Sequence, residues 1–279
     1  MITIAHSPDT DDFFLFWAIA RQKIDLKGLN FQFSQHDTRI LNRLAANCSH
    51  DVVAISLAAY PMVRENYLIL PHGASIGRGY GPVLVSKLLF PIESINDMRV
   101  GIPGDTTTAA AVLRELAPDV KTVEYSIEPF NVGFSALERQ EIDALLLIHE
   151  GQISYGRRNL NLIVDLGKWW CEKTGLPLPL GVNAIRKDLG PELISKVSFV
   201  LRASIKYALE HKQDVLRDLV GINLQRNADV SDHKQICQYL DMYANRDSLE
   251  LTEDCKRAIS LLIAKLTGLL PESIIEYAP

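Results

Sequence analysis

Residues 99–117, RVGIPGDTTTAAAVLRELA, have the same layout as residues 2–25, ITIAHSPDTDDFFLFWAIARQKID. Each segment begins with a short apolar strand, passes through a polar turn and continues as a helix with an apolar face. Units of this kind build sheets of mainly parallel strands that are covered by helices. Because the unit occurs twice, the sequence predicts an α/β protein with two lobes.

The two halves also continue alike. Residues 41–56, LNRLAANCSHDVVAIS, and residues 136–149, ALERQEIDALLLIH, both run from a helix through a short break and an Asp into an apolar strand with a polar last residue. The patterns of period 3.6 and period two support a repeated α/β unit, although they do not establish duplication.

The lobe bounds follow from two interruptions of the sheet pattern. Residues 77–82, GRGYGP, contain three glycines and a proline and indicate a loop or a hinge. After a last predicted strand at 182–187 the chain is almost entirely helix-patterned, so its end is expected to pack on the first lobe. We therefore predict an inserted lobe of residues 88–180 within a discontinuous lobe of residues 1–87 and 181–279.

Composition excludes several classes of protein. The chain has 279 residues, of which 47% are hydrophobic and 23% charged, and its net charge is -5, as in ordinary globular proteins. It has no long basic run that would follow a nucleic acid, and no apolar run of the roughly 20 residues that cross a bilayer. The first residues do not resemble a secretion signal, so a cytoplasmic location is expected.

Metal binding is not expected from the sequence. The four cysteines and seven histidines are dispersed along the chain, without the clustered ligands that zinc requires. In a reducing compartment the cysteines need no disulfide partner, and we interpret them as packing residues.

The predicted ligand site is a cleft between the lobes. In open α/β sheets ligands bind beyond the carboxyl ends of strands, where helix N-termini present unpaired N–H groups. Four such strand ends carry suitable side chains: residues 7–12, Ser56, residues 104–108 and residues 149–150. If the lobes face each other, these four groups converge on one cleft.

Three consecutive threonines, Thr106 to Thr108, open the helix of the second unit. Their hydroxyl and backbone N–H groups can donate to an anion, and a carboxylate suits such a site. The alternative is that one of them simply caps the helix. A phosphate-binding P-loop is excluded, because its lysine and most of its glycines are absent.

His149 is the candidate general base. It follows five apolar residues, so a rigid strand places it at the edge of the predicted cleft, although a histidine in this position can also be structural. Near the first strand end, Asp9, Asp11 and Asp12 crowd a helix start. Capping explains one or two of them, and metal or glycosidic chemistry is the weaker alternative.

Taken together, the motifs resemble one family, the 1,4-dihydroxy-6-naphthoate synthases of the futalosine route to menaquinone. The resemblance is dense over the first two thirds of the chain and looser over the helical last third. It is carried by SPDTDDFF (7–14), LNRLA (41–45), SLAAY (56–60), GRGYGP (77–82), IPGDTTTA (102–109), LLLIHEGQISY (145–155) and VDLGKWWCEKTGLPLPLG (164–181).

The resemblance implies the two-lobed fold of the type II periplasmic binding proteins and a lyase without a cofactor. Such an enzyme splits cyclic dehypoxanthine futalosine into 1,4-dihydroxy-6-naphthoate and a sugar-derived fragment, and its only implied partner is this small-molecule substrate. The resemblance places the proton acceptor at His149. The implied substrate contacts are Asn42, Ala54, Ile55, Ser56, Thr107 and Thr108.

One motif departs from the family pattern. Where members read SPCPNDTF, this chain reads SPDTDDFF, so that Ser7, Pro8, Asp12 and Phe14 match and the positions between them do not. Two alternatives stay open. One is chorismate dehydratase, which shares the pathway and the fold, and the other is a non-catalytic solute-binding protein for a small carboxylate.

Overall fold

The protein is represented by a computed structural model that describes residues 1–126, 131–226, 228 and 230–279. Its strands form two sheets joined by two crossings of the chain. In chain order the strands are β1 (Ile2–His6), β2 (Phe31–Gln35), β3 (Val52–Ser56), β4 (Tyr67–Ile69), β5 (Ser75–Gly77), β6 (Val83–Ser86), β7 (Arg99–Ile102), β8 (Lys121–Glu124), β9 (Ala144–Leu147), β10 (Asn161–Asp165) and β11 (Leu178–Arg186).

Helices cover both sheets and make up the end of the chain. The α-helices are α1 (Thr10–Ala20), α2 (Thr38–Ala46), α3 (Tyr60–Val63), α4 (Thr108–Leu116), α5 (Val132–Glu138), α6 (Gly151–Ser154), α7 (Leu166–Thr174), α8 (Pro191–Glu210), α9 (Lys212–Gln225), α10 (His233–Tyr243), α11 (Arg246–Leu249) and α12 (Glu253–Thr267). Short 3-10 helices span Leu57–Ala59, Ile92–Asp97, Tyr155–Arg158, Lys187–Leu189 and Pro271–Ser273. No helix in the described ranges is both long and apolar enough to span a bilayer.

The first sheet has the order β2-β1-β3-β11-β4, with β5 also paired to β11, and the second has the order β10-β6-β9-β7-β8. Strands of the repeated units pair in parallel, as predicted, in β1 with β2 and β3 and in β7 with β8 and β9. Strands β6 and β11 pair antiparallel with their neighbours. The sheets are therefore mixed rather than mainly parallel.

The antiparallel strands have a physical cause in the crossings. Both β6 and β11 begin at the edge where β9 and β3 end, because the chain enters each sheet from the other lobe. A strand that starts at the carboxyl edge of its neighbours must run in the opposite direction. Sheet membership also differs from the predicted lobe bounds, since residues 83–86 belong to the second sheet and residues 178–180 to the first.

Apolar contacts tie the elements together. One buried cluster extends from Val53 and Ile55 of β3 to Val100 and Leu146 of the second sheet, so the core is continuous between the sheets. Helix α1 packs on α8, α9 and α10, with residues such as Phe14 fully buried. Helices of the last third of the chain therefore pack against α1, which directly follows the first strand of the first sheet.

Candidate functional site

The four predicted strand ends line a single cleft between the two sheets. Asp9, Asp11 and Asp12 at the start of α1 lie on one side, and Thr107 and Thr108 at the start of α4 lie on another. Ser56 at the end of β3 and His149 after β9 complete the group. The wall also includes side chains from α6 and α10, namely Gln152, Tyr239 and Tyr243.

His149 projects into this cleft from a constrained backbone. It lies two residues after β9 with φ of 51°, in the left-handed region that few residues other than glycine adopt. Its Nε2 atom is 3.0 Å from Oδ2 of Asp9 and 3.4 Å from the hydroxyl oxygen of Thr38. Burial lowers the pKa of His149 below its usual 6.5, so the imidazole is neutral at neutral pH and able to accept a proton.

Asp9 occupies the N-cap position of α1 without capping it. An Asp at this position normally accepts a hydrogen bond from an N–H of the first turn, but the Asp9 side chain makes no such bond. It is 5% exposed, and its Oδ1 atom has no hydrogen-bond partner among the described residues. Burial and the nearby charge of Glu150 raise the pKa of Asp9 to about 7.

Asp11 and Asp12 are also buried beside the cleft. Asp11 accepts hydrogen bonds from the hydroxyl groups of Ser75, at 3.1 Å, and Tyr239, at 3.3 Å. Asp12 accepts one from the backbone N–H of Ser7, at 2.7 Å. Burial first, and then the neighbouring carboxylates, raise the pKa of both groups well above the usual range of an Asp.

Four of the predicted substrate contacts lie on β3 and on the neighbouring helix α2. Ala54, Ile55 and Ser56 line the cleft, whereas Asn42 lies behind them and is 2% exposed. The Asn42 amide accepts from the backbone N–H of Ser56 at 3.0 Å and donates to the Thr106 hydroxyl at 3.0 Å. Asn42 therefore connects the two lobes and holds Ser56 in place.

The two predicted threonines line the cleft, but their hydroxyl groups are occupied. Thr107 caps α4: its hydroxyl donates to the carbonyl of Gly104 at 2.7 Å and accepts from the N–H of Ala110 at 3.2 Å. The Thr108 hydroxyl donates to the carbonyl of Leu180 at 2.6 Å and accepts from a backbone N–H at 3.1 Å. The groups that remain for an anion are the backbone N–H groups at the start of this helix.

Sequence reasoning missed part of this site. It explained one or two of Asp9, Asp11 and Asp12 by capping and gave Asp9 no role of its own, although the predicted convergence of residues 7–12 with residues 149–150 is consistent with the contact between Asp9 and His149. It gave no sign of Tyr239 and Tyr243, which lie on α10 with the spacing of ordinary core residues. Among the described residues, no three His, Cys, Asp or Glu side chains are arranged to hold a metal ion.

Comparison with known proteins identifies the family. Residues 2–267 match the family model described as menaquinone biosynthesis. A curated relative from Thermus thermophilus, named 1,4-dihydroxy-6-naphthoate synthase, is 33% identical over 264 residues, which cover 95% of this chain and 93% of the relative.

Solved structures show the same fold. A crystal structure of a protein from Archaeoglobus fulgidus is 36% identical, with a TM-score of 0.86 over 96% of this chain and 98% of its own. A Candida albicans protein described as having the generic periplasmic binding protein fold has a TM-score of 0.70 at 12% identity, covering 100% of this chain and 96% of its own. The two-lobed binding-protein fold is thus confirmed, and the chain belongs to the menaquinone biosynthesis family.

Proposed function

We propose that this protein is a 1,4-dihydroxy-6-naphthoate synthase, a lyase that splits cyclic dehypoxanthine futalosine with His149 as general base. The observation that carries the proposal is the position of His149. Its imidazole is neutral, reaches the cleft from a strained backbone and contacts a buried carboxylate. Strain of this kind concentrates at active sites, and a base aligned by a second polar group is a recurring catalytic arrangement.

The charges around the cleft support one orientation of the substrate. Three buried carboxyl groups lie at the start of α1, and a carboxylate of the substrate would be repelled by any of them that is ionised. The N-terminus of α4 offers backbone N–H groups and the positive end of a helix dipole. We therefore place the carboxylate of the naphthoate half near Thr107, Thr108 and Ser56, and the hydroxyl-bearing sugar half near Asp11 and Tyr239.

The proposed cleavage requires the protein to bind the substrate and to accept one proton from it. His149 accepts a proton from carbon, and the electron pair of that bond stays with the substrate as the aromatic ring forms. The sugar-derived fragment leaves with the electron pair of the bond that breaks and takes up a proton, which the protonated His149 or water can supply. General-base help of this kind is worth roughly 10² to 10⁴ in rate. Aromatisation of the product supplies driving force.

Product analysis tests the proposal. The purified protein is incubated with cyclic dehypoxanthine futalosine, and separately with chorismate, and both reactions are followed by mass spectrometry. We expect 1,4-dihydroxy-6-naphthoate from the first and no product from the second. Dehydration of chorismate without formation of the naphthoate would show that the chain is instead a chorismate dehydratase. Binding without turnover of either compound would favour a solute-binding protein.

A further inference from the structure

We infer that Asp9 positions the catalytic base: its carboxylate holds Nε2 of His149, so that Nδ1 is the atom that accepts the substrate proton. The inference rests on the proposed role of His149 as general base. It adds that Asp9 orients the imidazole and that Nδ1 is the atom that accepts the proton. Asp9 lies in the part of the first motif where this chain departs from the family pattern, so the resemblance does not supply this role.

The contact joins two elements that are far apart in the chain. Asp9 directly precedes α1 of the first lobe and His149 follows β9 of the second, yet Oδ2 of Asp9 and Nε2 of His149 are 3.0 Å apart. In the described part of the chain, Nδ1 of His149 has no hydrogen-bond partner, whereas Nε2 also has the Thr38 hydroxyl within 3.4 Å. An imidazole fixed through one nitrogen presents the other in a defined direction.

The Asp9 side chain is free to hold His149 because it does not cap α1 and its Oδ1 atom has no hydrogen-bond partner among the described residues. It makes no cap hydrogen bond to α1, and the N–H of Thr10 in the first turn donates to Glu150 instead. It is buried, so contact with His149 replaces part of the hydration that its carboxylate loses. Because Asp9 does not cap its helix and yet lies buried beside the cleft, a functional role explains it better than a structural one.

The protonation states of Asp9 and His149 determine how the rate should depend on pH. In the base-competent form Asp9 is ionised, Nε2–H donates to it, and the lone pair of Nδ1 is free. One added proton removes that lone pair in two forms of the pair. One is imidazolium and carboxylate, and the other is a carboxylic acid that donates to Nε2 of a neutral imidazole whose own proton is on Nδ1. The rate therefore rises with pH as the pair loses this proton, and the burial that raises the pKa of Asp9 moves that rise to higher pH.

Other charges act on the same imidazole. Glu150 next to it, Asp11 on α1 and Asp37 before α2 favour the protonated ring, whereas Arg226 at the end of α9 and burial oppose it. Glu150, Asp37 and Arg226 are kept when Asp9 is replaced by Asn, and Asp11 loses only the part of its raised pKa that is due to the Asp9 charge. Loss of the Asp9 carboxylate removes one attraction for a proton, so the pKa that governs the rate should fall and the rising limb should move to lower pH.

The test combines nitrogen NMR of histidine-labelled protein with steady-state kinetics of wild type, Asp9→Asn and His149→Asn, the last of which assigns the His149 signals by their loss. Asp119→Asn, an exposed carboxylate away from the cleft, is the matched control. In the wild type at pH 8 we expect a proton on Nε2 and a free lone pair on Nδ1. Asp9→Asn should lower kcat about ten-fold or more, change KM by less than about three-fold, and move the limb to lower pH.

The outcomes separate this inference from the proposed function. Wild-type turnover by His149→Asn would remove the proposed base, whatever the NMR shows. The positioning role alone would be overturned by an inactive His149→Asn variant together with an Asp9→Asn variant of wild-type kcat, if the rate of the latter rose with pH over the same range as in the wild type. A wild-type spectrum with the proton on Nδ1 and the lone pair on Nε2 would also overturn it, even if Asp9→Asn did not fold.

Discussion

Thr10 donates two hydrogen bonds to one oxygen of Glu150, from its backbone N–H at 3.0 Å and from its hydroxyl at 2.5 Å. Thr10 is the first residue of α1 in the first lobe, and Glu150 directly follows His149 in the second. Asn223 of α9 donates to the same hydroxyl at 2.9 Å. This buried contact holds the lobes together on the side of the cleft where the base lies.

Breaking this contact should open the cleft. Glu150→Ala removes the acceptor of both bonds, and we expect a larger radius of gyration in small-angle scattering without ligand and a raised KM. Glu150→Gln keeps a carbonyl oxygen at the same place and serves as the matched control, with a smaller effect on both quantities. If Glu150→Ala had the dimensions and the KM of the wild type, the contact would not govern closure.

Thr107 should act through its cap. Thr107→Val removes the hydroxyl that accepts from the Ala110 N–H, and loss of an N-cap costs about 0.5–2 kcal/mol. The free energy of unfolding from urea titration should fall by that amount, and KM should rise because the anion site is built on the same turn. Thr107→Ser retains the hydroxyl and should restore both values. A raised KM in Thr107→Ser as well would show that the methyl group matters instead.

Asn42 should affect both stability and substrate binding. Asn42→Ala leaves the buried N–H of Ser56 without its acceptor, which costs about 1–3 kcal/mol of stability. We also expect KM to rise several-fold, because Ser56 loses the group that orients it. Asn47→Ala, at an exposed position just after the same helix, should change stability by less than about 0.5 kcal/mol. Unchanged stability and KM in Asn42→Ala would contradict this role.

The raised pKa of Asp11 has a consequence for stability. A carboxyl whose pKa is higher in the folded than in the unfolded protein contributes stability that is complete below its unfolded value and is lost as the pH rises through the folded value. Asp11→Asn removes that loss, so the variant should gain stability over wild type at pH 8 and little at pH 4. A gain of about 1 kcal/mol would raise Tm by roughly 2–4 °C.

Calorimetry at both pH values checks this expectation, with Asp119→Asn as the exposed control. A variant that gained equally at pH 4 and pH 8, or lost stability at pH 8, would show that Asp11 is ionised in the folded protein. In that case the hydrogen bonds from Ser75 and Tyr239 would outweigh burial.

The α/β layout could be predicted because it is a local property of the sequence. The strand and helix of the first unit are found at Ile2–His6 and Thr10–Ala20, and those of the second at Arg99–Ile102 and Thr108–Leu116. Strand direction is not local. Residues 178–186 form one strand that is antiparallel to β3 and begins before the strand predicted at 182–187. Periodicity shows that a segment is extended and says nothing of which neighbour it pairs with.

The location of the candidate site in the fold could be predicted from the sequence. Strand ends brought Ser56, Thr108 and His149 to one cleft, as the α/β rule requires. The roles of individual atoms were not predictable, because they depend on partners distant in the chain. The Thr108 hydroxyl is taken by Leu180, which is 72 residues away, and the Asp9 carboxylate reaches a histidine of the other lobe instead of its own helix.

The most direct measurement is the turnover of cyclic dehypoxanthine futalosine by His149→Asn. Asn tolerates the left-handed backbone at this position, so the variant removes the base while keeping the local conformation. Formation of 1,4-dihydroxy-6-naphthoate should fall by roughly 10² to 10⁴, while circular dichroism and substrate affinity stay near those of the wild type. A folded variant that forms the product at the wild-type rate would contradict the role of His149 as general base.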